Sequence, residues 1–205
     1  LRGDFDDRVL ALAVLDPAMG SGHFLLRACQ YLAEQIATNP HAEDPAAPDG
    51  ATSPEESTLL FWKRRVIERC IFGVDKNPIA VELAKLALWL ETVSVDQPLS
   101  FLDHHLRHGD SLIGAKIDSM ARLYDPRVPD QGQFRLTVQH HTTALLKPLD
   151  DIRQMPSQTV AQVKAKEKLY RKTFEPRRKP FVQLSHMWIG DFFLSRESGL
   201  TATEY

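Results

Sequence analysis

The hydrophobic pattern near the start of the chain predicts a strand, a glycine-containing turn and a helix. Val9–Leu15 is a continuous apolar run, as expected for a strand buried on both faces. The next residues, Asp16–Gly22, include two glycines. From His23 to Ile36, apolar residues recur at the three- and four-residue spacing of a helix. We therefore expect the three elements in this order.

A polar segment separates this unit from the next. Residues 38–57 hold four prolines and five acids with almost no large apolar side chain, which predicts a flexible surface insertion. At its end, Ser53 and Pro54 are typical of a helix N-cap and first helical position. A helix is expected from there to about Arg69.

A second strand–helix unit follows. Cys70–Val74 predicts another short buried strand, and Asn77 and Pro78 predict the start of a helix that runs to about Val93. Its inward side chains are expected to be Ile79, Leu83, Leu86, Ala87 and Leu90. A third strand is expected at Leu106–His108. Successive strand–helix units predict an α/β fold with a parallel sheet.

The pattern changes beyond Gly114. A basic helix is expected there, with one apolar stripe formed by Val160, Val163, Tyr170 and Phe174. Pro176 and Pro180 are expected to end it. We therefore divide the chain into an α/β part over residues 1–114 and a mostly helical part over residues 115–205. The second part is either an insertion or the start of another subdomain.

Composition is that of an ordinary water-soluble domain, with 43% hydrophobic and 25% charged residues. No stretch approaches the roughly 20 apolar residues of a membrane span, and none resembles a secretory signal. Cys29 and Cys70 lie among apolar residues, which favours buried thiols in a reducing compartment and a cytoplasmic protein. Because the chain begins at Leu1 and ends at Tyr205 just after an apolar segment, we expect it to be a piece of a larger protein.

Charge is distributed unevenly although the net charge is only −2. Residues 1–57 carry ten acidic and three basic side chains, whereas residues 164–179 carry eight basic and two acidic ones. Such a stretch suits contact with DNA phosphates, and it is equally typical of a solvated helix. The candidate nucleic-acid contacts are Lys164, Lys168, Arg171 and Lys172. No metal site is expected, because the eight histidines do not show ligand spacing.

Three acids stand at the ends of predicted strands. Asp16 opens the glycine turn, Asp75 follows the second strand, and Asp110 follows the third. Ligands of open α/β sheets bind at this edge, where an acid accepts hydrogen bonds from ribose hydroxyls. Each acid also has a simpler explanation: a tight turn for Asp16, a helix cap for Asp75 and a solvated turn for Asp110.

Three segments together resemble motifs of DNA adenine-N6 methyltransferases, especially the large ones fused to or partnered with restriction and phage-defence systems. Leu15–Leu25 resembles their motif I, Ile71–Ala84 their motif II, and His108–Gly114 their motif III region. They occur in the family's order and cover roughly residues 8–114. The resemblance implies a partial Rossmann-like class I methyltransferase sheet, S-adenosylmethionine as cofactor, and DNA as partner. A fused nuclease or other subunits are further candidate partners.

The resemblance also implies roles for individual residues. The methionine moiety of the cofactor would be held by Asp16 and by the backbone of Ala18, Gly20 and Gly22. Asp75 would bind the ribose, and Asn77 would flank the adenine ring. The adenine amino group would meet Asp110, with Ser111 and Leu112 beside it. Residues 1–114 would thus be the S-adenosylmethionine-binding part.

One departure concerns catalysis. Members of this family act through an Asn/Asp-Pro-Pro-aromatic loop that holds the flipped adenine, and these 205 residues contain no Pro-Pro pair. We therefore expect no catalytic residue here and no methyl transfer by this chain alone. Two alternatives stay open at this point: a methyltransferase acting on RNA, protein or a small molecule, and a non-catalytic module that binds cofactor or docks on DNA.

Overall fold

The computed structural model describes most of the chain. The described residues are 5–40, 42, 54–93, 98–116 and 131–197. They form two compact units, one comprising Leu1–Ser111 with Met155–Ala165, the other Leu112–Gln154 with Lys166–Tyr205. The predicted division at residue 114 stays a prediction.

The first unit has a mixed α/β fold around a small parallel sheet. Its helices are α1 (Phe5–Leu10), α2 (His23–Ala37), α3 (Pro54–Arg69) and α4 (Pro78–Glu91). Its strands are β1 (Val14–Asp16), β2 (Ile71–Asp75) and β3 (Leu106–His108), in the order β1-β2-β3. Both strand pairs are parallel, with Leu15 opposite Phe72 and Asp75 opposite His108. The predicted parallel α/β sheet is thus confirmed within this unit.

The first predicted strand was too long. Only Val14–Asp16 is a strand; Leu10 belongs to α1, and Leu15 is 59% exposed, so the run is not buried on both faces. In α1 the acids Asp6 and Asp7 occupy the first turn, which favours a helix N-terminus. A short apolar run is compatible with either element, and here the helix prevails.

The boundaries of α2, α3 and α4 agree closely with expectation. Helix α3 begins at Pro54, so residues 54–57 of the predicted insertion are helical. Residues 43–53, which carry most of the remainder of that prediction and include Ser53, lie outside the described residues. Asn77 caps α4 through its side-chain oxygen, which accepts from the Ile79 backbone N–H at 2.9 Å.

The inward face of α4 was predicted wrongly. Four of the five residues expected inside are between 48% and 67% exposed: Ile79, Leu83, Leu86 and Leu90. The buried residues are Val81, Ala84, Lys85 and Leu88. Because α4 is apolar on almost every side, its sequence does not distinguish its faces. The orientation is set by tertiary partners: Lys85 Nζ lies 2.8 Å from Asp103 Oδ1.

The core of the first unit lies between the sheet and its helices. It includes Leu25, Ile36, Val66, Ile71 and Leu88, each at most 1% exposed. Within the described ranges, no helix is long and apolar enough to cross a membrane. In the same ranges, no three metal-ligating side chains lie together.

Both cysteines belong to this core, and we expect them to resist alkylation. Cys29 and Cys70 are fully buried, and desolvation raises the pKa of Cys29 from its ordinary 9.0 to about 12. Since the thiolate is the nucleophile, Cys29 should react with iodoacetamide about a thousandfold more slowly in the folded chain than in urea. Mass spectrometry after timed labelling at pH 8 measures both rates. Equal labelling with and without urea would contradict this burial.

The second unit is helical over its described residues 131–154 and 166–197. It contains α5 (Gln131–Gln154) and most of a helical run made of α6 (Val160–Leu169), a π-helical turn (Tyr170–Phe174) and α7 (Glu175–Glu197). Pro176 and Pro180 do not end this run, contrary to expectation. A proline cannot donate to the fourth residue before it, and its ring crowds that carbonyl. The wider π-helical turn ends at Phe174, two residues before Pro176. The Glu175 N–H donates to the Tyr170 carbonyl, five residues earlier.

Candidate cofactor-binding site

The site is built at one edge of the sheet, where the three parallel strands end. The segment Asp16–Gly22 follows β1, Asp75 closes β2, and Asp110 lies two residues after β3. Parallel strands bring their carboxyl ends to the same edge, which is the usual ligand crevice of open α/β sheets. The structure therefore collects the three predicted acids along one edge.

Hydrogen bonds shape the turn after β1. The Ala18 N–H donates to Asp16 Oδ1 at 3.0 Å, and the Met19 N–H donates to the Val74 carbonyl at 3.0 Å. Gly20 and Gly22 have φ values of 55° and 81°, in the left-handed region that favours glycine. The predicted need for glycines in this turn is therefore explained by its backbone.

Met19 is a structural residue that the sequence reasoning missed. Its side chain is 4% exposed and packs against Gly73 of β2, where an added Cβ would collide with the Met19 sulfur. Met19 thus attaches the turn to β2 twice, through side-chain packing on Gly73 and through its N–H to the Val74 carbonyl. Met19 is the one large apolar side chain of the turn Asp16–Gly22, which was the available signal.

Gly22 has a second role beyond its φ value. It immediately precedes α2, and a Cβ built on it would lie 2.9 Å from Ala84 Cβ and 3.2 Å from Ala84 Cα. The start of α2 therefore packs directly on the backbone of α4. This contact sets the distance between the glycine turn and the helix that follows Asp75.

Asp75 connects two parts of the edge. Its Oδ2 accepts from the Gly20 N–H at 2.8 Å, and its Oδ1 accepts from the Asn77 N–H at 2.8 Å. These two hydrogen bonds, that from Asn77 first, hold the pKa of the Asp75 carboxyl below its usual value. Asp75 is thus an ionised acceptor at neutral pH. Its alternative interpretation as the cap of α4 is wrong, because Asn77 fills that role.

The third acid lies beside the end of β2. The Gly109 N–H donates to the Asp75 carbonyl at 3.0 Å, and His108 Nε2 lies 3.0 Å from the Lys76 carbonyl. Asp110 Oδ2 lies 3.2 Å from Lys76 Nζ, and the Asp110 side chain is 28% exposed. Asp110 is therefore held next to Asp75 and is open to solvent on one side.

The remaining predicted residues differ in their surroundings. Ser111 is exposed at the end of the first unit. Leu112 is the first residue of the second unit and is 93% exposed. The four candidate nucleic-acid residues are all exposed: Lys164, Lys168, Arg171 and Lys172. Arg171, whose side chain is 65% exposed, also pairs with Glu167 at 2.9 Å.

Comparison with known proteins identifies the family. A model of the family described as N-6 DNA Methylase matches residues 7–125, more than half of the chain. The chain belongs to the N-6 DNA methylase family. The resemblance to DNA adenine-N6 methyltransferases is thereby confirmed. The region matched to the N-6 DNA methylases contains all three strands and stops before the basic stretch at residues 164–179.

Two relatives combine restriction and methylation in their names. A putative type II restriction enzyme and methyltransferase of Methanocaldococcus jannaschii is 34% identical over 128 residues, which are 58% of this chain and 10% of that protein. A type II restriction enzyme and methyltransferase of Escherichia coli is 30% identical over 122 residues, covering 55% and 12% respectively. The chain thus matches only about a tenth of each relative's length. No solved structure matches it significantly.

Proposed function

We propose that this chain forms the S-adenosylmethionine-binding part of an enzyme that methylates N6 of adenine in DNA. The cofactor, when bound, supplies an electrophilic methyl group on a sulfonium. What supports this proposal best is the Asp75 carboxylate, which accepts from the turn after β1 and from the start of α4 at once. It thereby holds in place the two backbone segments that would flank the cofactor.

The hydrogen-bonding capacity of Asp75 suits a ribose. An ionised carboxylate offers about four acceptor positions. Two are used by the Gly20 and Asn77 N–H groups, so about two are left for the two hydroxyls of a ribose. Because its pKa is lowered, Asp75 presents no competing proton at neutral pH. Asn77 would flank the adenine ring beyond the ribose.

The neighbouring acids suit the other two parts of the cofactor. Asp16 and the backbone of Ala18, Gly20 and Gly22 would hold the methionine moiety, whose ammonium and adjoining sulfonium are attracted by carboxylates. Asp110, with Ser111 and Leu112, would receive the adenine amino group as a hydrogen-bond donor. Lys76 already occupies Asp110 Oδ2, so the amino group would use the remaining acceptor positions.

The strand order supports a Rossmann-like class I methyltransferase sheet as the wider fold. Three parallel strands in the order β1-β2-β3 correspond to one half of a doubly wound sheet. We propose residues 1–114 as the cofactor-binding part of that domain and the helical remainder as an insertion or following subdomain. The absence of methyl transfer by this chain alone also stays a prediction.

The family and the relatives support proposals for the substrate and the partners. The family match favours DNA over RNA, protein or a small molecule as the methyl acceptor. Because both relatives are named as restriction enzymes and methyltransferases, we propose a restriction-modification or related defence system as the setting. A nuclease, fused or separate, would then be the partner, and the cytoplasm the compartment.

Calorimetry tests the cofactor assignment directly. The folded chain is expected to bind S-adenosylmethionine and S-adenosylhomocysteine and to bind NAD and ATP at least about tenfold more weakly. The reason is that three carboxylates at one edge attract the cationic methionine end and repel phosphates. Circular dichroism of the same sample establishes that it is folded. Equal binding of NAD, or no heat with S-adenosylmethionine from a folded sample, would contradict the proposal.

A further inference from the structure

The helical run at residues 160–197 carries a group of exposed lysines within the second unit. Lys168, Lys172 and Lys179 are all exposed. Lys168 and Lys172 stand at positions i and i+4, which lie on one side of a helix, and Lys179 follows further along the same run, beyond the π-helical turn. We name these three residues the lysine face.

The buried residues of this part of the run are Tyr170, Phe174 and Lys166. Tyr170 is 3% and Phe174 8% exposed, and their rings stack with centroids 5.2 Å apart. These aromatic rings are therefore occupied inside the unit and cannot stack on bases. A partner that meets the exposed lysines would therefore be contacted through charge and not through these two rings.

The acids of this stretch are neutralised within the helix. Glu167 pairs with Arg171 at 2.9 Å, and Glu175 pairs with Arg178 at 3.2 Å. Among the described residues, the three members of the lysine face have no acidic partner. The charges of these two acids are therefore offset by two arginines and not by the lysines.

We propose that the lysine face binds the phosphate backbone of duplex DNA without reading its sequence. At about 1.5 Å rise per residue, the lysines stand roughly 6 and 10 Å apart along the helix. Flexible ammonium groups at such separations can each reach a separate phosphate, as backbone-positioning contacts do. The choice of DNA rests on the proposed function, whereas the charge and exposure of the face do not.

The structure also revises the set of residues suggested by sequence. Arg171 is committed to Glu167, and Lys164 belongs to the first unit. Lys179, which the sequence reasoning counted in the basic stretch without assigning it a contact, is exposed in the same helical run as Lys168 and Lys172. The proposed contact is accordingly Lys168, Lys172 and Lys179.

The test compares two variants that lose the same charge. The first is Lys168→Ala/Lys172→Ala/Lys179→Ala. The control is Lys116→Ala/Lys147→Ala/Arg153→Ala, three exposed cations of the same unit outside the lysine face. Fluorescence anisotropy with a labelled duplex of arbitrary sequence, between 50 and 300 mM salt, gives the slope of log affinity against log salt for the full 205-residue chain.

The expected result is a loss of slope in the first variant only. Each phosphate contact contributes about 0.9 to the magnitude of that slope, so losing three should reduce it by about 2 to 3. At 100 mM salt, binding should weaken at least about tenfold in the first variant and less than about twofold in the control. Circular dichroism and urea melts of both variants establish that both are folded.

Several outcomes would overturn the inference. Equal losses of affinity in both variants would show a diffuse charge effect. If the parent chain did not bind DNA, the proposed DNA contact of the lysine face would be refuted. Tighter binding of a double-stranded RNA of the same length would assign the face to another partner. Cofactor calorimetry on the same samples separates the two proposals: normal S-adenosylmethionine binding beside unchanged DNA binding in the first variant refutes the lysine face alone.

Discussion

Replacing Asp75 by alanine is expected to abolish S-adenosylmethionine binding, with an affinity loss of at least about 100-fold. The substitution removes the acceptors proposed for both ribose hydroxyls. Hydrogen bonds to a charged group are worth about 1.5–3 kcal/mol each, and 1.4 kcal/mol is tenfold in affinity. It also releases the Gly20 and Asn77 N–H groups, so the glycine turn and the start of α4 lose their common acceptor. Calorimetry measures the loss.

Two further variants show what the Asp75 result means. Asp75→Asn keeps the size and one acceptor oxygen, so it should lose less affinity than Asp75→Ala. Glu34→Ala removes an exposed acid from α2, far along the helix from the turn, and should bind like the parent. If Asp75→Ala remained folded and bound the cofactor normally, the proposed ribose contact would be wrong.

The pH dependence of cofactor binding provides an independent check on the role of the Asp75 carboxylate. The pKa of Asp75 is lowered in the folded chain, so its contribution is present at neutral and mildly acid pH and is lost as the pH falls through that lowered value. Cofactor binding should accordingly be nearly constant from pH 8 to about pH 5. An affinity that falls steadily across that range would show that another titrating group controls binding.

Replacing Gly22 by alanine is expected to destabilise the chain by about 2–5 kcal/mol. An L residue with φ near 81° costs about 1–2 kcal/mol, and forcing a methyl group into a packed contact costs about 1–3 kcal/mol. The contact in question is with Ala84, at 2.9 Å from the added Cβ. Urea unfolding measures the free energy of the parent and the variant.

Gly20→Ala is the matched control for this prediction. Gly20 also has a positive φ, 55°, but an added Cβ there meets nothing within 4 Å. Its substitution should therefore cost only the backbone strain, about 1–2 kcal/mol. Equal costs at both glycines would contradict the role assigned to Ala84. In a double-mutant cycle, Ala84→Gly should recover part of the loss at Gly22 and nothing at Gly20.

Local signals were enough to predict much of the first unit. Helix α2, the start of α3 at Pro54 and the Asn77–Pro78 start of α4 agree with expectation, because caps and prolines act within a few residues. The three acids at the strand ends were predictable for a related reason, since parallel strands necessarily end at one edge. The sequence therefore predicts that the three acids share one edge, and their role in cofactor binding stays a prediction.

The remaining features depend on tertiary contacts that no local pattern reports. The inward face of α4 is set by Ala84 against Gly22 and by Lys85 beside Asp103. The π-helical turn before Pro176 shows how a helix continues where proline predicts an end. Likewise, the hydrogen bond from Gly20 to Asp75 spans 55 positions and becomes visible only in three dimensions.

This long-range bond has a consequence for how the site can diverge. The turn after β1 and the end of β2 are joined through the sheet and through Asp75, not through the chain between Ala37 and Pro54. A doubling of a connecting loop costs only about 0.6 kcal/mol in closure entropy. Descendants of such a sequence can therefore lengthen, shorten or rewrite that connection while they keep the hydrogen bond between the glycine turn and Asp75. Selection on the turn and on Asp75 is thus separated from drift in the chain that links them.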